Sequence, residues 1–261
     1  MTLALSIVII AHNEEEAIRE CLRSAMFAAE IIVLDSGSSD QTVAICKAAG
    51  ARVIETDWPG DGPQRNRGIA LAQQEWVLCL DADERITSSL ASELAIALGQ
   101  PVNGFYIPFH SHYLGKRIRF GDWRNEQHLR LFRKTHGRYS DSTVYGAQGA
   151  HCRPEVSGTV GTLKNPILHY PYPTLEKVLE KVNRYSSGGA ALKHQQGKTS
   201  SFSKALGHGF WTFIRGYCLK LGFLDGYLGF MLAVSNAEAC YYRYLKLYLL
   251  NSLKQPPFTN M

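Results

Sequence analysis

The sequence predicts an α/β fold: a mostly parallel central sheet flanked by helices, with a helical appendage toward the C-terminal end. Three observations predict it. Short β-branched runs alternate with amphipathic stretches through the first hundred residues, polar and acidic residues collect directly after those runs, and from residue 101 the pattern changes, with aromatic and basic residues between strand signals. Alternation of this kind implies parallel strands joined by helical crossovers.

Leu5-Ser6-Ile7-Val8-Ile9-Ile10 has the apolar, β-branched character of a strand covered on both faces. Asn13 offers an N-cap oxygen with Glu16 as capping-box partner, and Ile18, Leu22, Ala25 and Met26 recur at helical spacing. Ile31–Leu34 reads as a second strand, after which Asp40 caps a helix that Gly50 ends. Arg52–Glu55 is a third strand, Gln64–Ala72 a helix, and Trp76–Leu80 a fourth strand. Gly104–Phe109 and Leu129–Arg133 read as strands of a mixed sheet. Thr174 caps a helix whose Leu175, Val178, Leu179 and Val182 form one stripe, and Gly188-Gly189 with the polar 194–201 stretch is the most linker-like region. The expected division is a catalytic domain over 1–193, with halves 1–100 and 101–193, followed by an aromatic and basic helical segment over 194–261.

Composition narrows the function classes. The 261 residues are 45% hydrophobic and 20% charged, which excludes a wholly disordered chain, a coiled coil or a collagen-like repeat. Six cysteines without a close pair exclude a disulfide scaffold or zinc ribbon and read as reduced and cytosolic. His110, His112 and His136 lack Cys or carboxylate neighbours at zinc-ligand spacing. Residues 1–100 carry 7 basic and 15 acidic side chains, residues 101–261 carry 21 and 8. An acidic half would repel phosphate, so no nucleic-acid partner is expected, and the split suits a metal-assisted site beside an anionic partner. No secretory signal is read in Leu3–Ala11, and no run of about 18 apolar residues predicts a spanning helix.

Chemistry is expected where the polar residues fall. His12-Asn13-Glu14, Asp35-Ser36-Gly37-Ser38-Ser39-Asp40 and Asp81-Ala82-Asp83-Glu84 each follow a strand, so in a parallel sheet they meet at the carboxyl edge, where open α/β sheets bind ligands. Carboxylates there can accept from a ribose or a base, and a D-x-D pair can place oxygens on a hard divalent cation that bridges phosphates. Each piece alone also fits a solvated turn or helix cap, and Arg65 and Arg67 also fit a solvated helix face.

Together, Ser6–Glu14, Val33–Thr42, Gln64-Arg65-Asn66-Arg67-Gly68 and Leu80–Glu84 resemble the inverting family 2 glycosyltransferases of GT-A, or nucleotide-diphospho-sugar transferase, fold. Trp123, Arg130–Lys134, Leu168-His169-Tyr170 and Lys181–Ser186 are similar to the lipopolysaccharide-core glucosyltransferase branch. The resemblance implies a UDP-sugar donor held by Ala11, Asn13, Glu14, Asp35, Ser36, Arg65, Asp81 and Ala82, and Mg2+ or Mn2+ ligated by Asp83. It implies Glu126 as the base that deprotonates the acceptor, where many relatives carry Asp, and Trp123, Gln127 and Arg130 on the acceptor. A surface pairing of Glu126 with Arg124 or Arg130 is the alternative. Relatives tend to carry Val-His-Glu where Val144-Tyr145-Gly146 stands here, which bears on the acceptor.

Beyond residue 202 aromatic rings interleave with Arg215, Lys220, Arg243 and Lys246, and the segment holds 6 basic and 2 acidic side chains. This suits the headgroup layer of an anionic membrane surface, or helices packed back on their own domain. The expectation is a metal-dependent, inverting transfer of a hexose, glucose above all, from a UDP-sugar to the lipid-linked lipopolysaccharide core. The site of action is the inner face of the cytoplasmic membrane, with the enzyme peripheral and cytoplasmic. The rivals are transfer to a polyprenyl phosphate and a non-catalytic membrane-surface protein on the same fold.

Overall fold

A computed structural model describes residues 2–140 and 152–252; Val144-Tyr145-Gly146 lies outside them. The chain divides into two compact units, one of residues 1–110, 126–143 and 152–170, the other of 111–125, 144–151 and 171–261.

The first unit is built on strands β1 (Leu3–Ala11), β2 (Ala28–Asp35), β3 (Arg52–Glu55), β4 (Trp76–Asp81), β5 (Glu84–Ile86), β6 (Gly104–Tyr113) and β8 (Gln127–Arg133), with β12 (Ile167–Tyr172) and the short β9 (Gly137–Tyr139), β10 (Pro154–Val156) and β11 (Val160–Thr162). Their order is β3-β2-β1-β4-β8-β6-β12-β5. The β3, β2, β1 and β4 neighbours run parallel, and β8 enters antiparallel to both β4 and β6. This is the GT-A arrangement of a mostly parallel sheet flanked by helices that the resemblance implied.

Alternation along β1 explains the two-layer core. Leu5, Ile7 and Ile9 face helices α1 (Ile18–Ala25) and α4 (Ser88–Ala97), while Val8 faces α3 (Asp61–Leu71). Each fully buried aliphatic side chain contributes about 1.5–3 kcal/mol. Gly68 lets α3 lie close on the sheet: a Cβ there would sit 2.4 Å from Val8 Cγ1.

Several local expectations change. Asn13 does not cap α1: it takes a left-handed φ of 53°, its Oδ1 accepts from the Ser39 N–H at 2.8 Å, and the helix starts only at Ile18. Met26 lies beyond the end of that helix and is exposed. Asp40 does bond the first N–H of α2 (Thr42–Ala48) at 2.9 Å, and Gly50 ends it with φ 78°.

The second unit contains the short β7 (Lys116–Arg117), a 3-10 turn (Gly121–Trp123), α5 (Leu175–Gln195), α6 (Phe202–Ile214) and α7 (Gly226–Ser252). Thr174 caps α5 by accepting from the Lys177 N–H at 3.3 Å. Val178 and Val182 are buried with Tyr113, Ile118, Leu228 and Leu232, but Leu175 and Leu179 are exposed, so only half of the expected stripe is core. Gly188 and Gly189 are not a linker. They continue α5, and a Cβ on Gly189 would stand 2.6 Å from Arg243 Nε of α7, so close helix packing asks for glycine there. The helical break falls later, between Gln195 and Phe202. Among the described residues no single helix is long and apolar enough to cross a membrane.

Candidate active site

Strand register brings the acidic loops of the first unit together. Ile10 of β1 pairs with Asp81 of β4, and Ala11 with Asp35 of β2. The groups following these strands thus share one edge of the sheet, as their sequence positions predicted.

Loop chemistry fixes each group. Asp35 is buried and organises its own turn: Oδ1 accepts from the Gly37 and Ser38 N–H groups at 3.0 and 2.9 Å, and Oδ2 from the Ser38 hydroxyl at 2.5 Å. Ser36 donates its N–H to the Ala11 carbonyl at 3.0 Å, tying the ends of β1 and β2. Asn13 donates its N–H to the Ser38 hydroxyl at 2.9 Å, and Glu14 donates its own to Thr42 Oγ1 at 2.8 Å. The His12–Glu14 loop and the Asp35–Asp40 loop are therefore one hydrogen-bonded unit.

Asp81 sits in an ionic network. Arg65 of α3 bonds Asp81 Oδ1 through Nη2, and Arg130 of β8 bonds Asp81 Oδ2 at 3.0 Å and Glu84 Oε1 at 2.7 Å. Glu84 Oε2 in turn accepts the Asp81 N–H at 2.9 Å. Burial, with Asp81 and Asp83 nearby, pushes the Glu84 carboxyl up against the pull of Arg130. Both arginines are buried, yet their carboxylate partners raise them above the ordinary guanidinium value and keep them charged. Arg65 is thus no solvated helix face. Arg130, expected on the acceptor, bonds Asp81 and Glu84, because β8 lies directly beside β4.

Two donors of Arg65, Nε and Nη1, are buried without a hydrogen-bond partner among the described residues, as is Gln64 Nε2. Each such group costs about 1–3 kcal/mol of desolvation. Gln64 and Arg65 lie in the first turns of α3, where helix N–H groups favour an anion.

Asp83 follows Asp81 in the turn before β5. β12 runs antiparallel to β5 with His169 opposite Glu84, which brings His169 Nε2 to 3.6 Å from Asp83 Oδ1. Among the described residues no cluster of three or more His, Cys, Asp or Glu side chains stands ready to hold a metal. The Asp83 carboxylate and the His169 imidazole are the neighbouring side chains at this edge that could hold a divalent cation.

Glu126 follows Asn125, which is left-handed with φ 56° as Asn13 is before Glu14. Its Oε1 stands 2.9 Å from His128 Nε2. The Phe109 ring collects the surrounding groups: His128 meets it edge-on at 4.7 Å between centroids, His169 at 6.0 Å, and the Arg130 guanidinium lies 5.6 Å from its centre. One ring thus links the Glu126 side of the site to the Asp83 side. Phe109, His128 and His169 were not assigned from sequence. The i, i+2 spacing of Glu126 and His128 on one strand face was the available signal for His128. Gln127 is exposed, Ala82 is buried beneath the turn, and Trp123 belongs to the second unit, where it stacks on Tyr172 at 5.8 Å.

The chain is 29% identical over 263 residues to the lipopolysaccharide core biosynthesis glycosyltransferase LpsC of Rhizobium meliloti, covering 98% of this chain and 96% of that one. It is 28% identical to an uncharacterized glycosyltransferase of Rickettsia typhi, covering 93% of this chain and 86% of the relative. Staphylococcus aureus TarS 1–349 in complex with UDP superposes over 100% of this chain and 94% of its own at a TM-score of 0.48 and 16% identity. The family model described as glycosyl transferase family 2 matches residues 6–154, more than half of the sequence, and the chain belongs to that family.

Proposed function

We propose that this glycosyltransferase moves a hexose, glucose in the first instance, from a UDP-sugar to a sugar of the lipopolysaccharide inner core, with inversion and with a divalent cation. The observation that carries the reading is the edge of the first unit, where Asp35, Asp81 and Asp83 follow aligned strands and Arg65 offers buried donors with no hydrogen-bond partner among the described residues. Similarity to LpsC over nearly the whole chain supports the core acceptor.

In this reading the loop of Glu14 and Asp35 holds the nucleoside, and Arg65 with the start of α3 receives the diphosphate. Glu126 takes the proton of the acceptor hydroxyl as that oxygen forms its bond to the anomeric carbon. The bond from that carbon to the diphosphate breaks on the opposite face, so configuration inverts and UDP departs with the electron pair. His128 bonds Oε1 of Glu126 and so orients the carboxylate. Asp83 and His169 would hold the cation, which when bound neutralises charge on the departing diphosphate.

The test supplies purified chain with labelled UDP-glucose, Mn2+ and either truncated lipopolysaccharide core or polyprenyl phosphate. Transfer to the core, lost in Asp83→Asn, is expected. Label on polyprenyl phosphate alone overturns the acceptor, and unchanged turnover in Asp83→Asn overturns the metal role.

A further inference from the structure

The second unit carries an elbow that the transfer reaction does not use. α6 runs through a π-helical turn (Arg215–Leu219) to Leu221, which is left-handed at φ 61°, then a 3-10 turn (Gly222–Asp225) leads into α7, and the two helical arms bend by 72°. Large apolar side chains crowd this elbow without cover: Leu219, Phe223, Leu224 and Tyr227 are all exposed, Tyr227 to 66%. Phe202, Leu206 and Phe210, four residues apart on α6, are exposed in one stripe.

The charges beside the elbow are sorted. Its two acids turn inward: Asp225 accepts the Arg119 and Phe120 N–H groups at 3.0 and 2.8 Å, and Asp122 is held by Arg215 at 3.2 Å and Lys220 at 2.8 Å. The cations stay outside. Lys116, Arg117 and Arg119 are exposed on the hairpin around β7, and Lys116 Nζ reaches the Tyr227 hydroxyl at 3.4 Å, fixing the hairpin against the apolar tip. Burial and the neighbouring Arg119 both lower the Arg117 guanidinium below its ordinary value, a sign of crowded positive charge.

We propose that this elbow and the β7 hairpin dock on an anionic lipid bilayer, the apolar tip entering the headgroup layer while the cations meet lipid phosphates. Partly buried rings beside Lys and Arg fit that layer, whereas protein interfaces are depleted in lysine. Among the described residues no single helix is long and apolar enough to cross the bilayer, so the proposal sets the elbow in one leaflet. This inference does not rest on the transfer reading, because vesicle binding is measured without turnover.

Flotation of the full chain with phosphatidylcholine vesicles, with and without phosphatidylglycerol, tests it. The wild type floats with anionic vesicles, less so at raised salt. Lys116→Gln with Arg119→Gln weakens that binding by at least about tenfold. Leu224→Glu with Tyr227→Glu abolishes it, both variants keeping the wild-type circular dichroism. Absence of wild-type flotation overturns the proposal, as does equal flotation of all three proteins. Loss of a dimer with vesicle binding intact assigns the surface to a second copy and overturns it too.

Discussion

Replacing Arg130 by methionine tests whether the ionic network is what holds Asp81 in place. The substitution keeps the buried aliphatic length but removes both charge-assisted bonds from Nη2, to Asp81 at 3.0 Å and to Glu84 at 2.7 Å. Bonds to charged groups are worth about 1.5–3 kcal/mol each, giving roughly 3–6 kcal/mol. Removing one partner of a buried pair costs about 3–5 kcal/mol by a separate route, because Glu84 is left fully buried without its cation. The two routes agree, and for a chain of this size they correspond to a Tm lowered by roughly 10 °C in thermal unfolding. The double variant Arg130→Met with Glu84→Gln regains most of that loss, since the glutamine oxygen still accepts the Asp81 N–H. Transfer activity does not return with stability, because Asp81 has then lost its bond to Arg130. A single variant that unfolds within about 1 kcal/mol of wild type refutes the reasoning.

Glu126→Gln lowers kcat by about 10²–10⁴-fold with the donor KM little changed, and His128→Gln shifts the pH profile of kcat while leaving stability near wild type. Steady-state kinetics across pH separates the two roles. Gly68→Ala forces a methyl into Val8 and Leu34, whose carbons lie 2.4 and 2.7 Å from the Cβ position, and destabilises by about 1–3 kcal/mol in denaturant titration. Glu93 is pushed up by burial, but N–H donors from Lys164 and Asn165 and the Asn165 amide outweigh this and hold it below the usual carboxylate range. With a depressed folded value, its contribution is present above the unfolded carboxylate range near 4.3 and is lost as pH falls through the folded one. Glu93→Gln therefore removes part of the acid-side fall in Tm, and identical acid limbs for variant and wild type would contradict this.

The strands and the acidic edge were legible because they depend on local pattern. A β-branched run such as Leu5–Ile10 leaves little choice but a buried strand, and a parallel sheet then sends the residues after each strand to one side. Non-local competition decided what was missed. Asn13 has the right side chain for a cap, yet Ser39 lies across the adjacent strand and takes its oxygen first. Gly188-Gly189 looks like a hinge until Arg243, more than fifty residues later, fills the space a side chain would need. Arg130 follows the same rule. The resemblance implied a place for it on the acceptor; β8 inserts antiparallel beside β4 and delivers the guanidinium to Asp81 and Glu84, which no local pattern shows. A residue type at a spacing therefore establishes which groups the site contains, while the order in which strands lie side by side determines which of them face the ligand and which brace those that do. Asp81 and Asp83 illustrate the division: two carboxylates one residue apart, one bonded by two arginines and the other turned toward an imidazole, so the neighbouring strands give the same residue type two different settings.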